Sequence, residues 1–432
     1  MLFNTLKWPI LYIVFMMNII CGQKSQVNGN TKNGIHISDI APVNEPRKIG
    51  ISNTLTIYNF EQLAQVKKAI QNGNEYYGSA YDKLLRAADK AFKEGPFSVM
   101  EKKQIAPSGD KHDYLSLAPY WWPDPDKDDG LPWIRKDGKI NPLTRGENVD
   151  DPAKDKMIHN VKTLSLAYFF SGNIIYADKT KELLKVWFVD EATKMKPNLN
   201  YAQGVPGSSV GRGFGVIEFA GIENIITAIE VLEMENELEP KLGNALRKWM
   251  SNYLKWLQTS ELGLFEKSRK NNHGTLYDVQ EVSLLLFFDR TEEARAVLES
   301  VVQNRIDPQI EPDGKQLHEL ERTKALTYSI LNLSGLTKLA FFGKKEGVNI
   351  DLWNYKSPSG DIQKAYDYLL PFVDKVNQWP YQQLGNIDDA IERLRQMFVI
   401  TGSMHQIEEY CKMNITQKNK YDINRLLYPC LP

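Results

Sequence analysis

An all-α fold, an (α/α) toroid or incomplete barrel of helical hairpins, is what the sequence predicts, and three observations predict it. Apolar residues recur at spacings of three and four through most of the chain, as in NFEQLAQVKKAIQ, where Leu63, Val66 and Ile70 share one face. Sustained alternation of the kind that marks strands is nearly absent. Clusters of Gly, Pro and Asn separate the periodic segments, so the helices follow one another as hairpins. No fixed-period repeat is visible, which argues against a simple solenoid.

Taken in order, residues 1–21 read as an export signal. One lysine precedes the apolar run WPILYIVFMMNIIC, which is too short for a comfortable membrane span. Cys21 ends that run, so two readings stand: a lipoprotein signal with a lipid anchor through Cys21, or an ordinary cleaved signal. Either makes the protein exported, periplasmic or on the outer membrane of a bacterium. Residues 22–50 are polar, rich in Asn and Gly, and aperiodic, and they read as a tether. Residues 51–432 then form a single domain.

Asn59 is placed to cap the first helix. Further helices are predicted over 76–94, 155–171, 176–194, 216–235, 239–258, 276–288, 291–305, 319–341, 361–377 and 386–411. Two loops interrupt them. The first, 95–154, contains HDYLSLAPYWWPDPDKDDGLPWIRKDGKINP, and a loop of that length in a compact domain is functional or disordered. Its aromatics argue against disorder. The second, NYAQGVPGSSVGRGFG, is rich in glycine.

The chain of 432 residues is 42% hydrophobic and carries a net charge of −1 from 53 basic and 54 acidic residues. No basic excess marks a nucleic-acid protein, although overall balance leaves room for a locally basic cleft. The six histidines show no H-x-x-x-H pair and the three cysteines no Cys-x-x-Cys, so neither a metal nor another cofactor is expected. Cys411 and Cys430 remain as a pair, which an exported protein can oxidise to a disulfide or bury as thiols. No coiled-coil seam points to an oligomeric state.

Several residues are candidates for chemistry. Gly211-x-Gly213-x-Gly215 lacks the preceding strand of a dinucleotide site and a Walker lysine. It is either a flexible turn before a helix or a close approach to a ligand, with Arg212 reaching a carboxylate. Tyr120, Trp121 and Trp122 are either core filling or a platform for pyranose rings, and His112 and Tyr114 are candidates for the same groove. In NNHGTLYDVQ, Asn272 either caps the following helix or, with His273, belongs to a site. Arg322 and Tyr328 are six residues apart on the predicted 319–341 helix, about 120° apart around its axis, so they can flank one groove but not share one line.

The segments HDYLSLAPYWWPDP and NNHGTLYDVQ, with Arg322 and Tyr328 about 50–60 residues further on, resemble the alginate lyase superfamily of helical-barrel polysaccharide lyases. The resemblance is greatest to polysaccharide lyase family 38, with alginate lyase family 5 more distant, and spans residues 55–411. It implies β-elimination on a β-1,4-linked uronan, most often mannuronan of alginate, with glucuronan as the near alternative. Asn272, His273, Arg322 and Tyr328 would be catalytic. Asn272 and Arg322 would neutralise the uronate carboxylate, His273 would donate or act as base, and Tyr328, its phenolate favoured by Arg322, would act as base and acid. Two other classes remain: a non-catalytic glycan-binding surface lipoprotein, and an α/α-barrel glycoside hydrolase using Glu218 and Asp278.

Overall fold

Helices that are apolar round most of their surface must be buried round most of it, and such helices, Asn272–Phe287 and Ala325–Gly343 above all, lie in the inner layer of the protein. The computed structural model describes residues 55–374, 378–413 and 422–430. The expected signal, tether and Cys21 lie outside them. In chain order the helices are α1 (Phe60–Gln71), α2 (Glu75–Phe92), α3 (Asp151–Ser171), α4 (Ile174–Phe188), α5 (Ile222–Met234), α6 (Pro240–Thr259), α7 (Glu261–Lys267) and α8 (Asn272–Phe287). There follow α9 (Thr291–Val301), α10 (Asp307–Gln309), α11 (Leu317–Leu320), α12 (Ala325–Gly343), α13 (Ile362–Leu369), α14 (Ile387–His405), α15 (Glu408–Cys411) and α16 (Asn424–Leu427).

The inner helices α3, α5, α8, α12 and α14 pack one against the next. Their side chains, from Val161 and Leu164 through Ile225, Ile229, Val282 and Leu285 to Leu333, Leu336 and Phe398, are fully buried in one continuous core. Outside them, α2 and α4 pack on α3, α6 and α9 on α8, and α13 on α12. This two-layered arrangement of helical hairpins is the toroid that the sequence predicts. Asn59 caps α1 through its side chain, as expected, and Gly172 ends α3 in the left-handed conformation at φ 69°.

Several helix predictions need correction: the 176–194 helix ends at Phe188, the 361–377 helix at Leu369, and the 386–411 helix breaks at Gln406, where φ is 57°. The 216–235 segment begins as a 3₁₀ turn, Gly213–Phe219, before α5. The segment Glu261–Lys267 is a helix that the spacing did not reveal. Most important for the site, the 319–341 helix is broken. The turn 321–324 separates α11 from α12, because Thr323 gives its N–H and hydroxyl to Asp137, and Thr323 O accepts from Leu384 N–H. Arg322 therefore lies in a turn, and the 120° relation to Tyr328 does not apply.

The long loop between α2 and α3 is an ordered strap. Its β1 (Leu115–Leu117) pairs in parallel with β4 (Tyr201–Gly204), while β2 (Trp121–Trp122) and β3 (Ile134–Arg135) make a small antiparallel ribbon. The β4 lies in the second loop, after α4. Ala118, Trp133 and Val205 form a separate small core beneath the ribbon. The strap thus lies over the end of the toroid at which α3, α8 and α12 begin.

Candidate functional site

The N-terminal ends of α3, α5, α8 and α12 meet at one groove. Asp151 at the start of α3, Glu218 just before α5, Asn272 and His273 at the start of α8 and Tyr328 in the first turn of α12 all line it, with a volume of about 570 Å³. Helix N-termini present unpaired N–H groups and a positive partial charge, so this end of the fold favours anions. Five arginines, Arg135, Arg145, Arg212, Arg269 and Arg322, line the same groove, against the carboxylates of Asp151 and Glu218. The near-neutral chain therefore holds a basic cleft.

The start of α8 is set from both sides. Asn271, not Asn272, is the cap, its side chain accepting from His273 N–H at 3.2 Å. Asn272 is fully buried, and Glu319 fixes it. The backbone N–H and the side-chain amide of Asn272 donate to the two carboxylate oxygens of Glu319 at 2.6 and 2.7 Å. Asn272 Oδ1 is buried without a partner. Burial raises the Glu319 carboxyl, against the two Asn272 donors. Gly274 is required where it stands, since a Cβ there would lie 2.0 Å from Arg269 O.

His273 Nδ1 donates to Glu266 Oε1 at 2.6 Å, and Glu266 is fully buried. A carboxylate on Nδ1 keeps a proton on that nitrogen and leaves Nε2 to face the groove, the orientation that suits a base. The ring of Phe214 meets the His273 ring edge-on at 5.1 Å.

Arg322 reaches the site from its turn. Its Nη2 and Nε bond Asp137 at 2.9 and 3.3 Å, and its guanidinium carbon lies 4.0 Å from the centre of the Tyr328 ring. Burial alone would raise the Asp137 carboxyl, but the Arg322 charge and the Thr323 donors hold it well below the usual range. The Tyr328 hydroxyl is 2.7 Å from that of Tyr120. Burial, then Tyr120, push the Tyr328 phenol well above its ordinary value and outweigh the opposing charge of Arg322. Arg322 favours the phenolate, as expected, but is outweighed, and the Tyr328 phenol keeps its proton in the free protein.

Of the expected sugar contacts, Tyr120, Trp121 and Arg212 line the groove. Arg212 bonds Gln203 through Nε and Nη2 and lies 5.5 Å from the Trp121 ring centre, and burial lowers its pKa to about 10. The other three do not line it. Trp122 turns its indole N–H to Lys139 O beneath Lys136 on the outside of the ribbon, because alternation along β2 sends it away from Trp121. His112 is held by Lys194 O at 2.7 Å. Tyr114 is fully buried and supports the groove from below, its hydroxyl donating to Glu218 at 2.8 Å.

Glu218 also accepts from Ser116 at 2.7 Å, and burial and Asp151 push its pKa to about 7. Its proposed hydrolase partner is elsewhere: Asp278 is buried in a two-bond ion pair with Arg305 at 2.8 and 2.9 Å and does not line the groove. The glycine loop is not a free turn, and it brings Arg212 and Phe214 to the groove. A Cβ on Gly211 would lie 2.0 Å from Asn200 O, so the glycine lets the loop pack against the chain entering β4. Among the described residues no group of three His, Cys, Asp or Glu is arranged around a metal position. Glu266, Glu319 and Asp137 were not singled out from sequence, since nothing about a single carboxylate tells which distant residue it will hold.

The alginate lyase family model matches residues 98–379, which takes in the strap, the α8 start and the 321–328 turn. The crystal structure of an alginate lyase from Bacteroides ovatus is 37% identical, with a TM-score of 0.82 over 87% of this chain and 99% of that one. An alginate lyase A1-III variant complexed with tetrasaccharide is 18% identical, TM-score 0.56, covering 85% of this chain and 93% of that one. The A1-III enzyme from Sphingomonas species A1 is 17% identical, TM-score 0.52, covering 85% and 94%. These last two share the fold. No curated protein matches by sequence. With the family model covering well over half its length and a relative of the same fold at more than one third identity, the chain belongs to the alginate lyase family and is a polysaccharide lyase.

Proposed function

We propose that the protein cleaves a β-1,4-linked uronan by β-elimination, acting first on mannuronan blocks of alginate, and leaves an unsaturated uronate end. The observation that carries this reading is the meeting of Asn272, His273, Arg322 and Tyr328 in one arginine-lined groove, from segments that are distant in sequence. The relatives named as alginate lyases support the same substrate class.

The C5 proton of a uronate is too weakly acidic to remove while the adjacent carboxylate keeps its full charge. Preorganised donors where charge develops are worth about 3–4 kcal/mol each. Arg322 is such a donor: Asp137 holds its Nε and Nη2 and leaves Nη1 for the sugar. Asn272, fixed by Glu319, is the second. A base takes the C5 proton, the C5–H electrons form the C4–C5 double bond, and the C4–O4 bond breaks as O4 gains a proton. Tyr328, a phenol in the free protein, is ready as the acid at O4. To act also as base on mannuronate, where proton and leaving group share a face, it must first lose its proton to solvent, and the Tyr120 hydroxyl is within reach to relay it by releasing its own. His273, oriented by Glu266, is the base for sugars that present C5–H on the other face. The Cys411–Cys430 disulfide supports export to an oxidising compartment.

The test is ultraviolet absorbance during incubation with poly-mannuronate, poly-guluronate and glucuronan, for wild type and Tyr328→Phe. Elimination makes a conjugated double bond and hydrolysis does not. A rise on poly-mannuronate that Tyr328→Phe abolishes is expected. A rise on glucuronan alone would move the substrate, and release of reducing ends without absorbance would overturn elimination.

A further inference from the structure

Three of the five groove arginines have carboxylate partners in the fold. Arg135 and Arg322 pair with Asp137, and Arg145 with Asp151. Arg212 is satisfied by the neutral side chain and carbonyl of Gln203. Arg269 differs from all of them. It makes no ion pair among the described residues, and its Nε is buried without a hydrogen-bond partner. A guanidinium N–H left without a partner in a desolvated place is costly, and the cost is relieved by an acceptor brought in from outside.

Its surroundings fit one kind of acceptor. The Arg269 guanidinium lies 5.6 Å from the ring centre of Phe214 and 5.3 Å from that of Phe265. Phe214 lines the groove and also contacts the His273 ring, while Phe265 is 40% exposed beside it. A cation next to partly open aromatic rings offers a charge for a carboxylate and an apolar face for a pyranose ring. The place is built and fixed. Arg269 O accepts from the buried Arg305, its N–H donates to Glu266 O, and Gly274 packs against it, so the backbone that sets His273 also sets Arg269.

We propose that Arg269, with Phe214 and Phe265, forms an additional subsite that takes the carboxylate and ring face of a uronate unit on the His273 side of the unit being cleaved. This rests on the uronan reading above. It makes the enzyme prefer chains with a carboxylate on successive units, and it makes chain length, not only the sugar at the cleavage point, set the rate.

Wild type, Arg269→Gln and Arg269→Lys would be compared by initial ultraviolet rates on poly-mannuronate and on size-fractionated mannuronate oligomers, with thermal melting as the check on folding. In Arg269→Gln, KM for the polymer rises about tenfold or more with kcat changed far less. The loss in kcat/KM shrinks as the oligomer becomes too short to reach the subsite. Arg269→Lys restores part of the polymer KM. Two results would overturn the subsite: an unchanged KM in Arg269→Gln, or a fall in kcat equal at every chain length, which would mean that Arg269 acts through Glu266 on His273. A wild type that gives no absorbance on any uronan removes the functional reading and the subsite with it, whereas an active wild type with indifferent Arg269 variants removes the subsite alone.

Discussion

The hydroxyl oxygens of Tyr120 and Tyr328 are 2.7 Å apart although 208 residues of chain separate them. One comes from the strap, the other from the first turn of α12, so the strap completes the surroundings of the residue placed to transfer protons. Tyr328→Phe is expected to lower kcat by about 10²–10⁴, the usual worth of a positioned acid or base. Tyr120→Phe removes one neighbour that raises the Tyr328 pKa and leaves the phenol in place, so a smaller loss is expected. Its telling readout is the pH–rate profile on poly-mannuronate, where the rising limb that reports ionisation of Tyr328 should move to lower pH. An unchanged profile in Tyr120→Phe would separate the two hydroxyls functionally.

Glu266 and Glu319 each hold a residue of the proposed chemistry. Glu266→Gln replaces the charged acceptor that fixes His273 Nδ1–H with a neutral amide, and Glu319→Gln replaces one of the two acceptors that fix Asn272. Each should lower kcat by about tenfold to a hundredfold, less than direct loss of a positioned base. Steady-state kinetics on poly-mannuronate with matched melting temperatures would check this. A fall in melting temperature without a fall in kcat would make both residues structural only.

Asp278 offers the opposite case. Its carboxylate faces Arg305 inside the core, where burial raises its pKa to about 6 despite that arginine. Asp278→Asn leaves the Arg305 charge without its partner and should cost about 3–5 kcal/mol of stability. Denaturant unfolding measures the cost. Residual absorbance-forming activity in the folded fraction would exclude Asp278 from the reaction.

Stability should also depend on pH through Glu230. Burial raises its pKa to about 7, against hydrogen bonds from Thr56 N–H at 3.0 Å and Thr56 hydroxyl at 2.5 Å. A carboxyl raised on folding binds more protons in the native state than in the unfolded one. Its stabilising contribution is full below the unfolded value of about 4.5 and is lost as pH rises through about 7. Melting temperature measured from about pH 5 to pH 8 should fall less steeply in Glu230→Gln than in wild type. An equal slope would place the dependence on other buried carboxyls, such as Asp150, which burial also raises to about 7.

Cys411 and Cys430 are joined in a disulfide across 19 residues of sequence. A loop of that size is worth about 3 kcal/mol when closed. Cys411→Ser should lower stability by about that amount under oxidising conditions and change nothing in reductant. Unfolding in the presence and absence of a thiol distinguishes these.

The helices were legible because their apolar residues recur at spacings of three and four, a pattern that survives whether one face is buried or, as in α8 and α12, nearly all of them. Asn272, His273, Arg322 and Tyr328 were legible through a resemblance carried by short motifs, not through periodicity. The break before α12 was not, because the 319–341 pattern is helical in itself. It is overridden by Asp137, 186 residues away, taking the Thr323 donors. Trp122 and His112 misled for a related reason: residue type suggests sugar contact, but direction depends on strand alternation and on a carbonyl supplied by Lys194. The two cysteines left both states open, since spacing alone does not bring two sulfurs together.

The strap has a further consequence for how such a protein can diversify. It supplies Tyr120, Trp121, Arg135 and Asp137, whereas the stacked helices supply Asn272, His273 and Tyr328. Its ribbon ends in the exposed stretch 125–129 and rests on a small core of its own. Insertions or exchanges at that tip touch neither the helical packing nor the starts of α8 and α12. Selection can therefore rewrite which chain is threaded past the reacting centre while inheriting that centre unchanged.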